Sequence, residues 1–125
     1  MVRDPFPREE LPELHVVLDA LEDPDCRRII REVTDPMTAS EIAEQCDIAL
    51  STTYRKLERL TEATLLEEIT EIRSDGHHTS RYRLNFDEVV IAIEDDREFE
   101  LAISRPARTA DERLAQLWSE VRKEV

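Results

Sequence analysis

Between Ser51 and Arg59 the sequence reads STTYRKLER. Two short hydroxyls (Ser51, Thr52), a phenol (Tyr54) and three cations (Arg55, Lys56, Arg59) fall within one short stretch. At helical spacing, Arg55 and Arg59 are i, i+4 neighbours on one face. Leu50, Thr53, Leu57 and Leu60 follow one another at three, four and three residues and form the opposite face. No covalent chemistry is implied by this set. It suits a helix laid against a nucleic-acid duplex, where a guanidinium forks onto guanine or phosphate. Arg55, one turn in and away from the apolar face, is the best placed for a base edge. Ser51 and Thr52 sit near the helix start, where free backbone N–H groups attract phosphate. Arg59, a turn deeper, faces the flanking backbone, and Tyr54 can stack on a sugar or touch a thymine methyl.

A second polar set comprises Arg73, His77, His78, Arg81 and Arg83. It reads as a hairpin with histidines at its tip, able to reach the backbone or the minor groove. Each set has a plainer alternative. Arg55 and Arg59 would pair with Glu58 and Glu62 as a solvated face, Tyr54 would be a packing residue, and His77 and His78 would be ordinary turn residues.

The elements that must hold these groups follow from periodicity. Pro12 suits the first turn of a helix, and Leu14, Val17, Leu18 and Leu21 form its apolar stripe. Asp23-Pro24 is a cap-plus-proline start for a second helix carrying Cys26, Ile29, Ile30 and Val33. Thr38 to Glu41 is a capping box opening a third helix, with Ile42, Ala43 and Cys46 inward. The fourth helix runs from Leu50 or Ser51 to about Glu62. The period then drops to two. Leu66 to Arg73 and Thr79 to Phe86 predict strands joined at Asp75-Gly76, the signature of a two-residue type I′ turn. Residues 89–93 read as a strand or as a short helix capped by Asp87. The strand is preferred, pairing with 99–103 through a turn at Asp95-Asp96-Arg97. After a linker at 105–108, Thr109 to Glu112 forms a second capping box. It opens a helix striped by Leu114, Leu117, Trp118, Val121 and Val125.

The expected fold is therefore α+β: a winged helix-turn-helix with a C-terminal β-hairpin and a terminal helix. Residues 1–10 form a flexible arm, 11–86 the helix-turn-helix domain and 87–125 an extension. The terminal stripe (Leu114, Leu117, Trp118, Val121) is expected to supply a homodimer interface, with contributions from the first helix or the last hairpin.

Charge bears on the partner. The chain has 125 residues and a formal net charge of −13, unfavourable for phosphate binding in general. Residues 49–83 nevertheless carry equal numbers of acids and bases, while both flanks are strongly acidic. Lysine is confined to positions 56 and 123 among 17 cations, and there is one glycine. This composition is that of halophilic proteins, in which salt screens self-repulsion. No apolar run is long enough for a membrane span and no secretory leader is visible, so a soluble cytoplasmic protein is expected. Cys26 and Cys46, without a neighbouring ligand pair, are expected to be buried and reduced. Neither a metal site nor a cofactor motif is present, and no catalytic constellation argues for an enzyme. The sequence names no small-molecule effector.

The stretch from Ala43 to Leu66, AEQCDIALSTTYRKLERLTEATLL, resembles the helix-turn-helix of ArsR-like and related archaeal winged-helix regulators. Ala43, Ile48, Ser51, Thr52, Arg55, Leu57, Leu60, Ala63, Leu65 and Leu66 fit its run, and LDALEDPDCRRIIREV resembles the preceding helix. The resemblance extends over about residues 14–86. It implies a transcriptional regulator binding specific double-stranded DNA as a homodimer. The alternative is a winged-helix protein-interaction module in a transcription or replication assembly. Three positions depart from the pattern. Asp47 and Thr64 stand where glycine is usual, so the corner at Thr64 is expected to differ in geometry. Ala49 replaces a polar cap.

Overall fold

The structure, a computed structural model, describes residues 11–108. The arm at 1–10 and the terminal stripe of Leu114, Leu117, Trp118 and Val121 lie outside the described residues. Helices α1 (Leu14–Glu22), α2 (Pro24–Glu32), α3 (Ala39–Cys46) and α4 (Leu50–Glu62) precede strands β1 (Leu66–Ile72), β2 (His78–Leu84), β3 (Glu88–Ile93) and β4 (Phe99–Ser104). The strands form two antiparallel hairpins, β1–β2 and β3–β4. Residues 89–93 are thus a strand, and a helix-turn-helix is followed by a wing.

Local chemistry explains most boundaries. Helix α1 starts at Leu14, not at Pro12. Glu13 is extended (φ −69°, ψ 147°), and its carbonyl accepts the N–H groups of Val16 and Val17, which leaves Pro12 outside the helix. Asp23 caps α2 by accepting from the Asp25 N–H at 3.0 Å, with Pro24 in the first turn. Thr38 and Glu41 form the expected capping box at the start of α3. Helix α4 does start at Leu50, with Ala49 as a cap that offers no side-chain bond.

Helices α3 and α4 end in the same way. The Ile48 N–H bonds Ala43 O at 3.0 Å, and the Leu65 N–H bonds Leu60 O at 3.0 Å. Each is the long bond of a Schellman motif, which needs a left-handed residue just before it. Those residues are Asp47 (φ 55°) and Thr64 (φ 61°). The corner at Thr64 therefore keeps the glycine-type geometry, contrary to the sequence-based expectation. The threonine is held there from outside the helix. Arg105 donates to the Thr64 carbonyl, to Thr64 Oγ1 at 2.7 Å and to Asn85 O at 3.0 Å. Asn85 Nδ2 also donates to Thr64 O, at 3.2 Å. A left-handed β-branched residue costs roughly 1–2 kcal/mol, and this hydrogen-bonded clamp offsets it.

The wing pairs Leu66 with Leu84 and Ile72 with His78. Its turn is not type I′. Only Gly76 has positive φ (85°), the Gly76 N–H bonds Arg73 O at 2.9 Å, and the Arg73 N–H bonds His77 O at 2.8 Å. This is a type I turn closed by a left-handed bulge residue, a three-residue loop. The expected geometry required Asp75 to adopt positive φ as well. The second hairpin repeats the device: Arg97 (φ 69°) takes the glycine's place, and its N–H bonds Glu94 O at 2.9 Å. Asp75 and Asp96 each accept from the N–H two residues on. Met37 adds one antiparallel bridge to Tyr82, a single rung of a third strand.

The core is formed by Val17, Ala20, Cys26, Ile29, Val33, Ile42, Cys46, Leu57, Leu60, Leu65, Leu66 and Tyr82, all buried. Leu50, expected on the inward face of α4, is instead 43% exposed, because it lies at the helix start beyond the neighbouring helices. Thr53 takes a fully buried place, and its hydroxyl is satisfied by donating to Ala49 O at 2.9 Å. Burial pushes the Cys26 thiol up to about 12, with the Asp23 carboxylate adding to the effect, and raises Cys46 as well. Both thiols are free and buried.

Arg97 gives a local test. Arg97→Gly removes the left-handed strain and should stabilise the second hairpin by about 0.5–1 kcal/mol. Amide exchange in β3 and β4 should slow by about threefold. Unchanged or faster exchange would contradict the bulge assignment.

Candidate nucleic-acid interface

Helix α4 turns Thr53, Leu57 and Leu60 into the core. At 100° per residue the opposite face carries Ser51, Arg55 and Glu58, with Thr52 and Arg59 beside them. Ser51 and Arg55 are exposed and Thr52 is half-buried. Arg55 enters no ion pair among the described residues, so the alternative pairing with Glu58 or Glu62 is absent.

The other two cations of α4 are engaged. Lys56 Nζ lies 2.6 Å from Asp23 Oδ2 and Arg59 Nη1 lies 3.0 Å from the same atom. The Asp23 side chain is only 8% exposed and that of Lys56 17%. Burial alone would raise the Asp23 pKa. Hydrogen bonds from Lys56 and the Asp25 N–H, with the Lys56 charge, outweigh it and hold the carboxyl below its ordinary value. Lys56 thus serves to lock α4 onto the start of α2. Arg59 does so in part, with about half its side chain still open to solvent.

Cations of the wing are also balanced. Arg81 pairs with Glu71 at 2.7 Å and with Glu41 at 3.1 Å, tying the wing to the start of α3. Its hydrogen bond to Glu71 keeps the guanidinium firmly protonated. Arg83 pairs across the ladder with Glu67 at 3.0 Å. At the tip, His77 Nδ1 lies 3.2 Å from Asp75, whereas Arg73 is exposed and forms no ion pair among the described residues. His78 opens β2 and is exposed.

Tyr54, 52% exposed, points from α4 toward the wing. It lines an open cleft of about 320 Å³ together with Thr38, Ser40, His78, Thr79 and Ser80. The cleft joins the start of α3, the flank of α4 and strand β2. The sequence alone did not single out Ser40, Thr79 or Ser80. Ser40 lies far along the chain from Thr79 and Ser80, and only the seating of the wing against α3 brings them together. Their hydroxyls, around a helix start, can donate to the phosphate oxygens of a sugar-phosphate backbone. No helix among the described residues is long and apolar enough to cross a membrane.

Residues 21–69 match the family model of a helix-turn-helix domain. This stretch includes α2, α3 and α4 and ends inside β1. Among solved structures, a "possible transcriptional regulator" from Methanosarcina mazei Go1 is 17% identical, with a TM-score of 0.45. The match covers 56% of this chain and 62% of that one. No curated protein matches the chain.

The two kinds of cation on α4 separate in stability. Lys56→Ala leaves the nearly buried Asp23 carboxylate with only Arg59 and should cost about 2–3 kcal/mol. Arg55→Ala should change stability by less than about 0.5 kcal/mol. Thermal melts check both. Because the Asp23 pKa is lowered on folding, its contribution is complete above the unfolded carboxylate value. It is lost as pH falls through the folded one. Asp23→Asn should therefore be destabilised at neutral pH and show a flatter acid limb than the parent. An unchanged acid limb would remove Asp23 from the linkage.

Proposed function

We propose that the chain is a transcriptional regulator that binds specific duplex DNA as a homodimer, of the ArsR-like winged-helix type. The observation that carries the reading is Arg55. It is an exposed cation of the second helix of the helix-turn-helix, opposite the core and without an ion-pair partner among the described residues, while the cations beside it are bound to Asp23. A second helix presented in this way lies in the major groove, and the first crosses the backbone. Ser51 and Thr52 set the phosphate register at the start of α4. Ser40, Thr79 and Ser80 do the same across the cleft, with Tyr54 against a sugar or a thymine methyl. Arg73, His77 and His78 at the wing tip reach the flanking groove. Arg81 and Arg83 follow the backbone once they exchange carboxylates for phosphates. Two copies double a site that one small reading head leaves short.

Halophilic composition fits this electrostatic arrangement, since screening weakens repulsion between an acidic surface and DNA. The alternative, a protein-interaction winged helix, would be favoured by apolar exposure along α4. Leu50 and Tyr54 are exposed near its start, but the face opposite the core presents Ser51 and Arg55, the latter without an ion-pair partner among the described residues.

Genome-wide binding-site mapping followed by titration on the recovered and scrambled duplexes tests the reading. Arg55→Ala should cost about 1–3 kcal/mol on the preferred duplex and much less on the scrambled one. An unchanged ratio would take base recognition away from Arg55. Absence of any preference in the unmutated protein would make the interaction module the leading reading. Glu71→Gln should release Arg81 and strengthen binding to both duplexes by about two- to fivefold, with a salt slope steeper by up to about 1. Equal affinities and slopes would show that the Glu71 pair does not compete with phosphate.

A further inference from the structure

The second hairpin carries an apolar face that ends in solvent. In the ladder, Val89 pairs with Ile103, Ile91 with Leu101 and Ile93 with Phe99. Alternation along a strand places these six side chains on one face. At the base, Val89, Leu101 and Ile103 pack against the core. Exposure then rises toward the tip, with Ile91 at 42%, Ile93 at 55% and Phe99 at 67%. The hydrophobic core thus runs out along the hairpin, and none of the described residues covers its outer half.

We infer that this face is the contact between two copies of the chain, meeting hairpin to hairpin about a two-fold axis. Three observations select a second copy. The face contains no charged side chain, whereas each chain carries a net charge of −13, so it is where two like-charged copies repel least. It is continuous with the core, as a dimer interface resembling a divided core is. A two-stranded hairpin is at best marginal alone in water, and packing a second apolar sheet on it supplies the missing layer. A two-fold contact also needs a self-complementary surface, and a flat apolar face is one. The inference deepens the homodimer of the proposed function by assigning its surface.

Sedimentation equilibrium of the full chain tests it. The parent should be dimeric at micromolar concentration, and more so at high potassium chloride as repulsion is screened. Ile93→Asp with Phe99→Asp should weaken dimerisation by at least tenfold, because burying carboxylates in the contact is costly. Ala92→Asp lies on the other face of the same strand and should leave it intact. Thermal melts and circular dichroism confirm that both variants fold. A monomeric parent overturns the inference. So does a double variant that dimerises like the parent, as it would if another surface held the copies together. Equal loss in Ala92→Asp also overturns it, since the hairpin's integrity rather than its face would then matter. Failure of DNA recognition gives a different pattern: an intact dimer, sensitive to Ile93 and Phe99, that prefers no duplex.

Discussion

One buried carboxylate organises the candidate interface. Asp23 caps α2 through the Asp25 N–H and simultaneously receives Lys56 and Arg59 from α4. A nearly buried carboxylate is tolerable only when its acceptor sites are filled by cations and N–H groups. Filling them fixes how α4 is rotated against α2. That rotation puts Thr53, Leu57 and Leu60 in the core and leaves Arg55 opposite them. If α4 turned by one residue step, Lys56 would lose its partner and Thr53 its buried place.

The same economy governs the remaining charge. Four of the six cations between residues 49 and 83 find a carboxylate. Arg81 lies between Glu41 and Glu71, Arg83 against Glu67, and Lys56 and Arg59 against Asp23. These pairs differ in kind. The Asp23 cluster is largely shielded from water and acts structurally. The wing pairs are partly exposed, so each is worth little and, in the proposed complex, is exchanged for phosphate. Arg55 and Arg73 need no exchange. A surface with few committed cations and several exchangeable ones relies more on local geometry than on net charge.

The two hairpins share one loop design with different outcomes. Both turn through a type I bend and a left-handed bulge residue, glycine in one and Arg97 in the other. The first hairpin is anchored over its base by Tyr82, Met37 and the Arg81 bridge to α3. Among the described residues, the second is held near its base by Val89, Leu101, Ile103 and the Arg105 clamp. Its outer half is the face proposed for association, while the first is committed to the helix-turn-helix.

Local sequence determined what depends on nearest neighbours. The capping box at Thr38, the Asp23-Pro24 start, the inward stripes of α2 to α4 apart from Leu50 and the change of period at Leu66 could all be read directly. In each case the interaction spans four residues or fewer, or one face of one element. Ser51, Thr52 and Arg55 were legible as an outward face for the same reason. Tertiary structure alone decided the rest. Lys56 and Arg59 read, like Arg55, as cations of a helix facing nucleic acid, and only the approach of α2 gave them Asp23, more than thirty residues away. Thr64 looked unfit for a left-handed corner because the clamp that holds it comes from Arg105, 41 residues later. The hydroxyls of Ser40, Thr79 and Ser80 carried no signal until the wing folded against α3. Periodicity records which face of an element turns inward, but not which charged group arrives from another part of the chain, and it is that arrival which separated the structural cations from the free one.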